Sequence, residues 1–242
     1  MSFTTVSIDI GNTAIKAGVF ENGALQNVFR FEDTDGLKLW SENLPSTMPV
    51  IISSVTNDDL GSFYQYFSNL IVLDFKTKVP LVKKYETPET LGNDRLAATV
   101  GAWALHPNQS SLVIDAGTAI KYDFVTGDGN YLGGSISPGV EMKFKALHRF
   151  TGKLPLIEKN KDFQLTGNST EQALLSGVMY GTLLEMQGFI DAYSINNENM
   201  QVIMTGGDSS YFADRLKGTI FAEPNLVLKG LFEILKYNAP QL

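Results

Sequence analysis

Two short segments of the 242-residue chain share a carboxylate, a glycine and a threonine at nearly the same spacing. In the first, Asp9-Ile10-Gly11-Asn12-Thr13 runs into Ala14-Ile15-Lys16. In the second, Asp115-Ala116-Gly117-Thr118 runs into Ala119-Ile120-Lys121. Gly11 lacks a Cβ, so the turn can be tight and its amide groups can come close to an anion. Thr13 adds a hydroxyl donor, and Lys16 brings an ammonium from the adjoining strand. Asp9, just before the turn, is placed to hold a hydrated cation rather than a bare phosphate. Two such turns facing each other would clamp a polyphosphate and its metal, whereas one alone reads as a hairpin turn. A third segment, Gly92-Asn93-Asp94-Arg95, opens a predicted helix and sets Asp94 near the positive end of its dipole. There Asp94 could take a proton from a hydroxyl while Arg95 grips a carboxylate in a two-pronged clamp. The plainer reading makes Asn93 or Asp94 a helix cap and Arg95 a solvated charge.

The elements that must position these residues follow from the pattern of the chain. Residues 4–20 form two β-rich runs around the Gly-Asn-Thr turn, and Glu21-Asn22-Gly23 makes a second turn, which predicts an opening β-meander. Further strands are predicted over 25–31, 49–54 and 70–74, with helices over 58–67 and 93–105, the latter stopped by His106-Pro107. The run 112–125 repeats the opening, its aspartate 106 residues after Asp9, and Thr126-Gly127-Asp128-Gly129 supplies the matching second turn. An internal duplication is expected, with its boundary in the polar connector 106–111. Gly133-Gly134-Ser135-Ile136-Ser137-Pro138-Gly139 then leads into a helix toward His148. A long helix is predicted over 171–193, a strand over 201–205, and helices near 210–216 and 226–236. Alternating strands and helices place the chain in the α/β class. Gly206-Gly207 either lets backbone meet a nucleoside or makes a close-packed strand–helix turn.

Composition narrows the function classes. The 19 Lys+Arg against 26 Asp+Glu leave a formal net charge of −7, so nothing sequence-wide favours nucleic acid or an anionic membrane. There is no cysteine, which excludes disulfides, thiolate zinc sites and cysteine nucleophiles. Only two histidines occur, His106 and His148, too few for a histidine-rich metal centre. Met1-Ser2-Phe3-Thr4-Thr5-Val6 lacks the features of a signal peptide, and no run approaches the roughly 18 apolar residues of a membrane span. A soluble, cytoplasmic protein is expected. Neither Gly-x4-Gly-Lys-Ser/Thr nor Gly-x-Gly-x-x-Gly after the first strand is present, which disfavours P-loop and dinucleotide-binding folds. His148, Trp40, Trp103, Met179, Met186 and Tyr193 are assigned to packing, and Gly177 with Gly181 to a close helix–helix contact that would serve as a dimer seam.

Taken in order, Asp9-Ile10-Gly11-Asn12-Thr13, Gly92-x-Asp94-Arg95, Asp115-x-Gly117-Thr118-Ala119, Gly133-Gly134-x-Ile136-x-Pro138-Gly139, Thr151-Gly152-Lys153-Leu154-Pro155, Gly167-x-Ser169-Thr170 and Thr205-Gly206-Gly207 form a specific set. That set resembles the type III pantothenate kinases. The resemblance implies an α/β fold of two duplicated ribonuclease-H-like domains around a nucleotide cleft, in the sugar kinase–actin–heat-shock ATPase superfamily. Residues 1–108 would carry the substrate segment, and 109–242 the second phosphate turn and the dimer helices. It implies transfer of the γ-phosphoryl of ATP, with Mg2+, to the terminal hydroxyl of pantothenate, giving 4'-phosphopantothenate as the first step of coenzyme A biosynthesis.

Carried over by position, the resemblance assigns Asp9, Gly11, Asn12, Thr13 and Lys16 to the first ATP turn and Thr118 to the second. Asp94 becomes the general base, and Tyr85, Gly92, Asn93, Asp94 and Arg95 bind pantothenate. Thr170 reaches the substrate of the neighbouring subunit, so a homodimer is implied. Asp115 would hold an activating monovalent cation, K+ or NH4+. The chain departs from the family at Lys121, where a small hydroxyl residue is usual. The lysine is expected to point to solvent; alternatively its ammonium reaches the cation or phosphate site and lessens the need for potassium. Three other readings remain beside this one: a kinase of another small hydroxy acid or sugar, a catalytically silent nucleotide-binding regulator, and an actin-like filament subunit.

Overall fold

A computed structural model describes residues 3–56 and 60–239. The chain divides into two compact units. Unit 1 comprises Met1–Asn108, Val125–Leu132 and Asn225–Leu242, and unit 2 comprises Gln109–Phe124 and Gly133–Pro224. The C-terminal helix therefore belongs with the N-terminal half of the chain.

Unit 1 opens with the meander β1 (Thr4–Ile10), β2 (Ile15–Glu21) and β3 (Ala24–Phe31), followed by helix α1 (Thr34–Ser41) and strands β4 (Pro49–Ser54) and β5 (Asn69–Val72). The sheet order is β3-β2-β1-β4-β5, antiparallel through the meander and parallel from β1 to β5. Alternation along β1 sends Val6, Ile8 and Ile10 to one face, where they join Val50, Ile52, Leu37, Phe63 and Phe67 in a buried cluster. Strand β6 (Val82–Lys83) and helix α2 (Asn93–Leu105) come next. Leu96, Ala97 and Val100 of α2 pack with Ile51, Leu231, Ile234 and Leu235 in a second cluster.

Unit 2 repeats the plan with β7 (Ser111–Ala116), β8 (Ala119–Val125) and β9 (Asn130–Pro138), then helices α3 (Val140–Phe150), α4 (Thr170–Leu175) and α5 (Gly181–Ser194). Strand β10 (Gln201–Thr205), the short helix α6 (Ser209–Phe212) and strand β11 (Ile220–Ala222) complete it, and α7 (Leu226–Asn238) returns to unit 1. The strand order β9-β8-β7-β10-β11 reproduces that of unit 1, with β7, β10 and β11 parallel; the stretch Val125–Leu132, which includes the start of β9, belongs to unit 1, where β6 pairs with Asn130 and Tyr131. Two mixed sheets of one topology are the duplicated ribonuclease-H-like architecture. The core of unit 2 joins Ile114, Tyr122 and Phe124 of the sheet to Met179, Met186 and Ile190 of the long helical stretch.

Several elements differ from the sequence expectation, each for a local reason. Of the helix predicted over 58–67, Asp58 and Asp59 lie outside the described residues, and Leu60–Gln65 forms 3-10 turns. Helix α1 was not anticipated, because Gly36 in its first turn is a poor helix former; Asp33 starts it by accepting the Gly36 N–H at 2.8 Å. The helix predicted over 171–193 contains a π-helical turn, Ser176–Tyr180, between α4 and α5. The segment near 210–216 splits into α6 and a 3-10 turn, Ala213–Arg215. Strands β6 and β11 are too short to show a period.

Candidate active site

In unit 1 the parallel strands end side by side, with Ile10 of β1 in register with Ser54 of β4, and Ile52 of β4 with Val72 of β5. Carboxyl ends of parallel strands are where open α/β sheets bind ligands, because the connections leaving them diverge. Asp9 is paired in register with Lys16 across the β1–β2 hairpin and with Ser53 of β4. Its carboxylate is partly buried, with Oδ1 enclosed. The turn is closed by the Gly11 N–H donating to the Ala14 carbonyl at 3.1 Å, which leaves Asn12 and Thr13 exposed at the tip.

Helix α2 brings its first residues to the same strand ends. The Asn93 side-chain amide donates to the Leu73 carbonyl at 2.9 Å and to the Ser54 carbonyl at 3.4 Å, fastening the helix to the ends of β4 and β5. Gly92 takes the cap position and offers no side chain, so neither Asn93 nor Asp94 is the N-cap of the plainer reading. Asp94 sits in the first turn, where its Oδ1 accepts the Arg95 N–H at 2.8 Å. Arg95 is 6% exposed and not a solvated charge. Its Nη1 donates to the Tyr85 hydroxyl at 3.4 Å, and its guanidinium lies 5.7 Å from the centre of the Tyr85 ring. Burying a guanidinium is costly unless it is paired, so specific contacts fix its place. Tyr85 packs against Tyr131, with ring centres 6.0 Å apart. A shallow cavity of about 320 Å³ opens beside Gly92 and Asn93, walled also by Ser54, Val55, Asp74 and Glu89. Unit 1 thus joins Tyr85 to Arg95, and sets the start of α2 at the ends of β4 and β5, β4 being the neighbour of the strand that carries Asp9.

In unit 2, Asp115 of β7 is in register with Thr205 of β10. The Gly117 N–H donates to the Ala119 carbonyl at 3.2 Å, leaving Thr118 exposed. Two glycine turns pack on this one. The Gly139 N–H donates to the Thr118 carbonyl at 3.2 Å, and a Cβ on Gly139 would lie only 2.3 Å from that oxygen. Gly206 has φ +90°, and a Cβ there would lie 2.4 Å from the Ala116 carbonyl oxygen and 2.5 Å from Asp115 Oδ1. Gly206 is therefore a close-packed turn, whereas a Cβ on Gly207 would meet nothing within 4 Å. Lys121 does not point to solvent: its Nζ lies 2.7 Å from Asp115 Oδ2, with each side chain 16% exposed. The adjacent carboxylate replaces the hydration that the ammonium loses.

Further polar residues of unit 2 were not singled out from sequence. Lys159 binds Asp208 at 2.6 Å and Glu141 at 3.4 Å. Burial alone would lower the lysine, but Asp208 and then Glu141 hold it above its ordinary value. Glu185 takes hydrogen bonds from Lys143 at 2.7 Å, Tyr122 at 2.9 Å and Ser137. Burial would raise the Glu185 carboxyl, yet these three bonds hold it below the usual range. Thr170 stands exposed as the first residue of α4, after the cap Ser169. His148 binds the Leu154 carbonyl through Nδ1 at 2.8 Å.

Residues 5–192 match the family described as type III pantothenate kinase. The type III pantothenate kinase of Flavobacterium johnsoniae is 40% identical over 237 residues, covering 96% of this chain and 97% of that protein. Its counterpart in Phocaeicola vulgatus is 44% identical over 235 residues, with the same coverage. The chain belongs to the type III pantothenate kinase family. As a type III pantothenate kinase it phosphorylates pantothenate with ATP in coenzyme A biosynthesis. Among solved structures, a Campylobacter jejuni protein named for the Baf family of transcriptional activators aligns over 98% of this chain and 100% of that one, with a TM-score of 0.66 and 23% identity. A ROK hexokinase from Thermus thermophilus aligns over 99% and 100%, with a TM-score of 0.55 and 12% identity. At these identities the likeness concerns the fold alone, which the pantothenate kinase shares with sugar kinases.

ATP brings a divalent ion, and the residues present fit that requirement. Among the described residues no three His, Asp or Glu cluster as a metal cage. Mg2+ seldom uses one, binding instead through one or two carboxylates and the substrate phosphates, with water filling the rest. Asp9 is a carboxylate in the right setting. A dissociable monovalent cation at Asp115 does not fit, because the Lys121 ammonium already lies against that carboxylate.

Proposed function

We propose that Asp94 is the general base of this pantothenate kinase and that the start of α2 is its pantothenate site. The observation that supports this best is the fastening of Asn93 to the ends of β4 and β5, which holds the Asp94 carboxylate at a helix N-terminus, with β4 lying next to the strand of Asp9. Tyr85, Gly92 and Asn93 line the pantothenate, and Arg95 clamps its carboxylate. Asp9, Gly11, Asn12, Thr13 and Lys16 of the first turn and Thr118 of the second bind the phosphates of ATP. Asp9 would hold Mg2+ on the protein side, and the ion would supply charge neutralisation for the phosphates of ATP. The terminal hydroxyl oxygen of pantothenate forms a bond to the γ-phosphorus, the bond from that phosphorus to the β,γ-bridging oxygen breaks, and ADP leaves. Asp94 accepts the hydroxyl proton. Phosphoryl transfer asks little covalent chemistry of a protein, so positioning and charge neutralisation carry most of the acceleration.

ADP release measured with pantothenate, pantetheine, glycerol and common sugars tests the substrate. The expected signal is specific to pantothenate; an equal response to sugars would favour another acceptor, and a flat panel would favour a silent nucleotide-binding regulator. A cytoplasmic location accords with the need for ATP. The proposed homodimer is supported by the outer face of the α4–α5 stretch. Gly177, Gly181 and Gly188 are exposed there with Leu184, and an added Cβ on any of the three would meet nothing within 4 Å, so nothing in the unit itself asks for glycine. Thr170 at the start of the same stretch would reach the partner's substrate. Gly181→Arg should convert the dimer to monomer in sedimentation velocity with little change in melting temperature; a wild type that sediments as monomer overturns the proposal.

A further inference from the structure

We infer that Lys121 is a fixed cation of the second phosphate turn, and that this enzyme works without an activating monovalent cation. The inference rests on the ATP-dependent reading above. Its basis is the contact of Lys121 Nζ with Asp115 Oδ2 at 2.7 Å, a charge-assisted bond between side chains that are each 16% exposed. A pair this sheltered is screened by salt far less than a surface pair.

The two oxygens of Asp115 are engaged on different sides. Oδ2 meets the ammonium, while Oδ1 faces the Gly206 turn so closely that a Cβ there would lie 2.5 Å away. The neighbouring Gly117-Thr118 backbone is pinned by the Gly139 N–H at 3.2 Å. Lys121 therefore places one positive charge beside a turn that cannot easily shift. A dissociable monovalent ion at Asp115 would have to displace that ammonium or share the carboxylate with a like charge, which disfavours it. The tethered ammonium carries the same charge without the loss of translational freedom that binding a free ion entails.

The test compares wild type, Lys121→Thr and Lys121→Met in potassium, ammonium, sodium and tetramethylammonium chloride at one ionic strength. Two quantities are read: pantothenate-dependent ADP release, and the affinity for a non-hydrolysable ATP analogue with Mg2+. Wild type is expected to vary by no more than about twofold across the four salts in both readouts. Lys121→Thr should fall by roughly tenfold or more in sodium and tetramethylammonium, and recover in potassium or ammonium. Lys121→Met, which restores neither charge nor oxygen, should stay impaired throughout.

Strong activation of wild type by potassium overturns the inference. So does a folded Lys121→Thr, judged by its melting curve, that is indifferent to the salt or equally impaired in all four. If that variant does not fold, the wild-type series decides alone. A wild type that releases no ADP with pantothenate in any salt counts against the kinase reading, and the nucleotide titrations still decide the role of Lys121.

Discussion

The two units share one strand order, and each finishes the carboxyl ends of its parallel strands in its own way. In unit 1 the hairpin turn spans four residues, Gly11, Asn12, Thr13 and Ala14, and the strand ends are tied to α2 through the Asn93 side chain. A cavity of about 320 Å³ remains beside that tie. In unit 2 the turn spans two residues, Gly117 and Thr118, and the strand ends are sealed by backbone, with Gly139 and Gly206 pressed against it. A side-chain tie leaves room that a small acid can fill, while a backbone seal makes a rigid platform. Duplicated topology thus ends in two ways: one end keeps an open cavity, which the proposal above gives to the acceptor, and the other fixes a charged turn.

The comparison can be broken first at Arg95. Removing it should raise KM for pantothenate by about 30- to 100-fold, since a buried charged hydrogen bond is worth about 1.5–3 kcal/mol and its loss leaves the substrate carboxylate without a partner. Arg95→Lys keeps the charge but not the fork, and should recover only part of the affinity. A KM within about twofold of wild type for Arg95→Ala would remove this residue from the substrate site.

A smaller effect, on stability rather than binding, separates the two kinds of finish. Alanine at Gly139 would bring its Cβ to 2.3 Å from backbone oxygen, whereas at Gly11 the nearest atom, the Ala14 oxygen, lies at 3.1 Å. Gly139→Ala should therefore cost about 1–3 kcal/mol as an overpacked site, and Gly11→Ala under about 1 kcal/mol. Thermal melting of both variants checks this, and equal losses would mean that unit 2 is no more tightly sealed than unit 1.

Much of this was legible in the sequence because it depended on local pattern. The strand spans of β4 and β10, the helix of α2 and the repeat of the meander all follow from periodicity and turn residues. The Asp-x-Gly-x-Thr and Asp-x-Gly-Thr segments were legible as turns too, since a glycine after a β-rich run marks where the chain can reverse. What lay hidden depended on distant contacts. That Arg95 is buried follows from Tyr85, ten residues earlier, folding back onto it. The direction of Lys121 is set by the strand opposite, and a lysine next to a turn reads as solvated until its neighbour is known. The ties of Lys159 to Asp208 and of Glu185 to Lys143 span 49 and 42 residues, and no spacing rule reaches that far.

The central claim, that Asp94 acts as base on a bound hydroxyl, is tested most directly by single-turnover phosphoryl transfer in Asp94→Asn. Pantothenate affinity, measured by titration, should change little, while the rate of transfer should fall by about 10²- to 10⁴-fold, the usual contribution of a positioned base. Transfer at close to the wild-type rate with pantothenate bound would contradict the account.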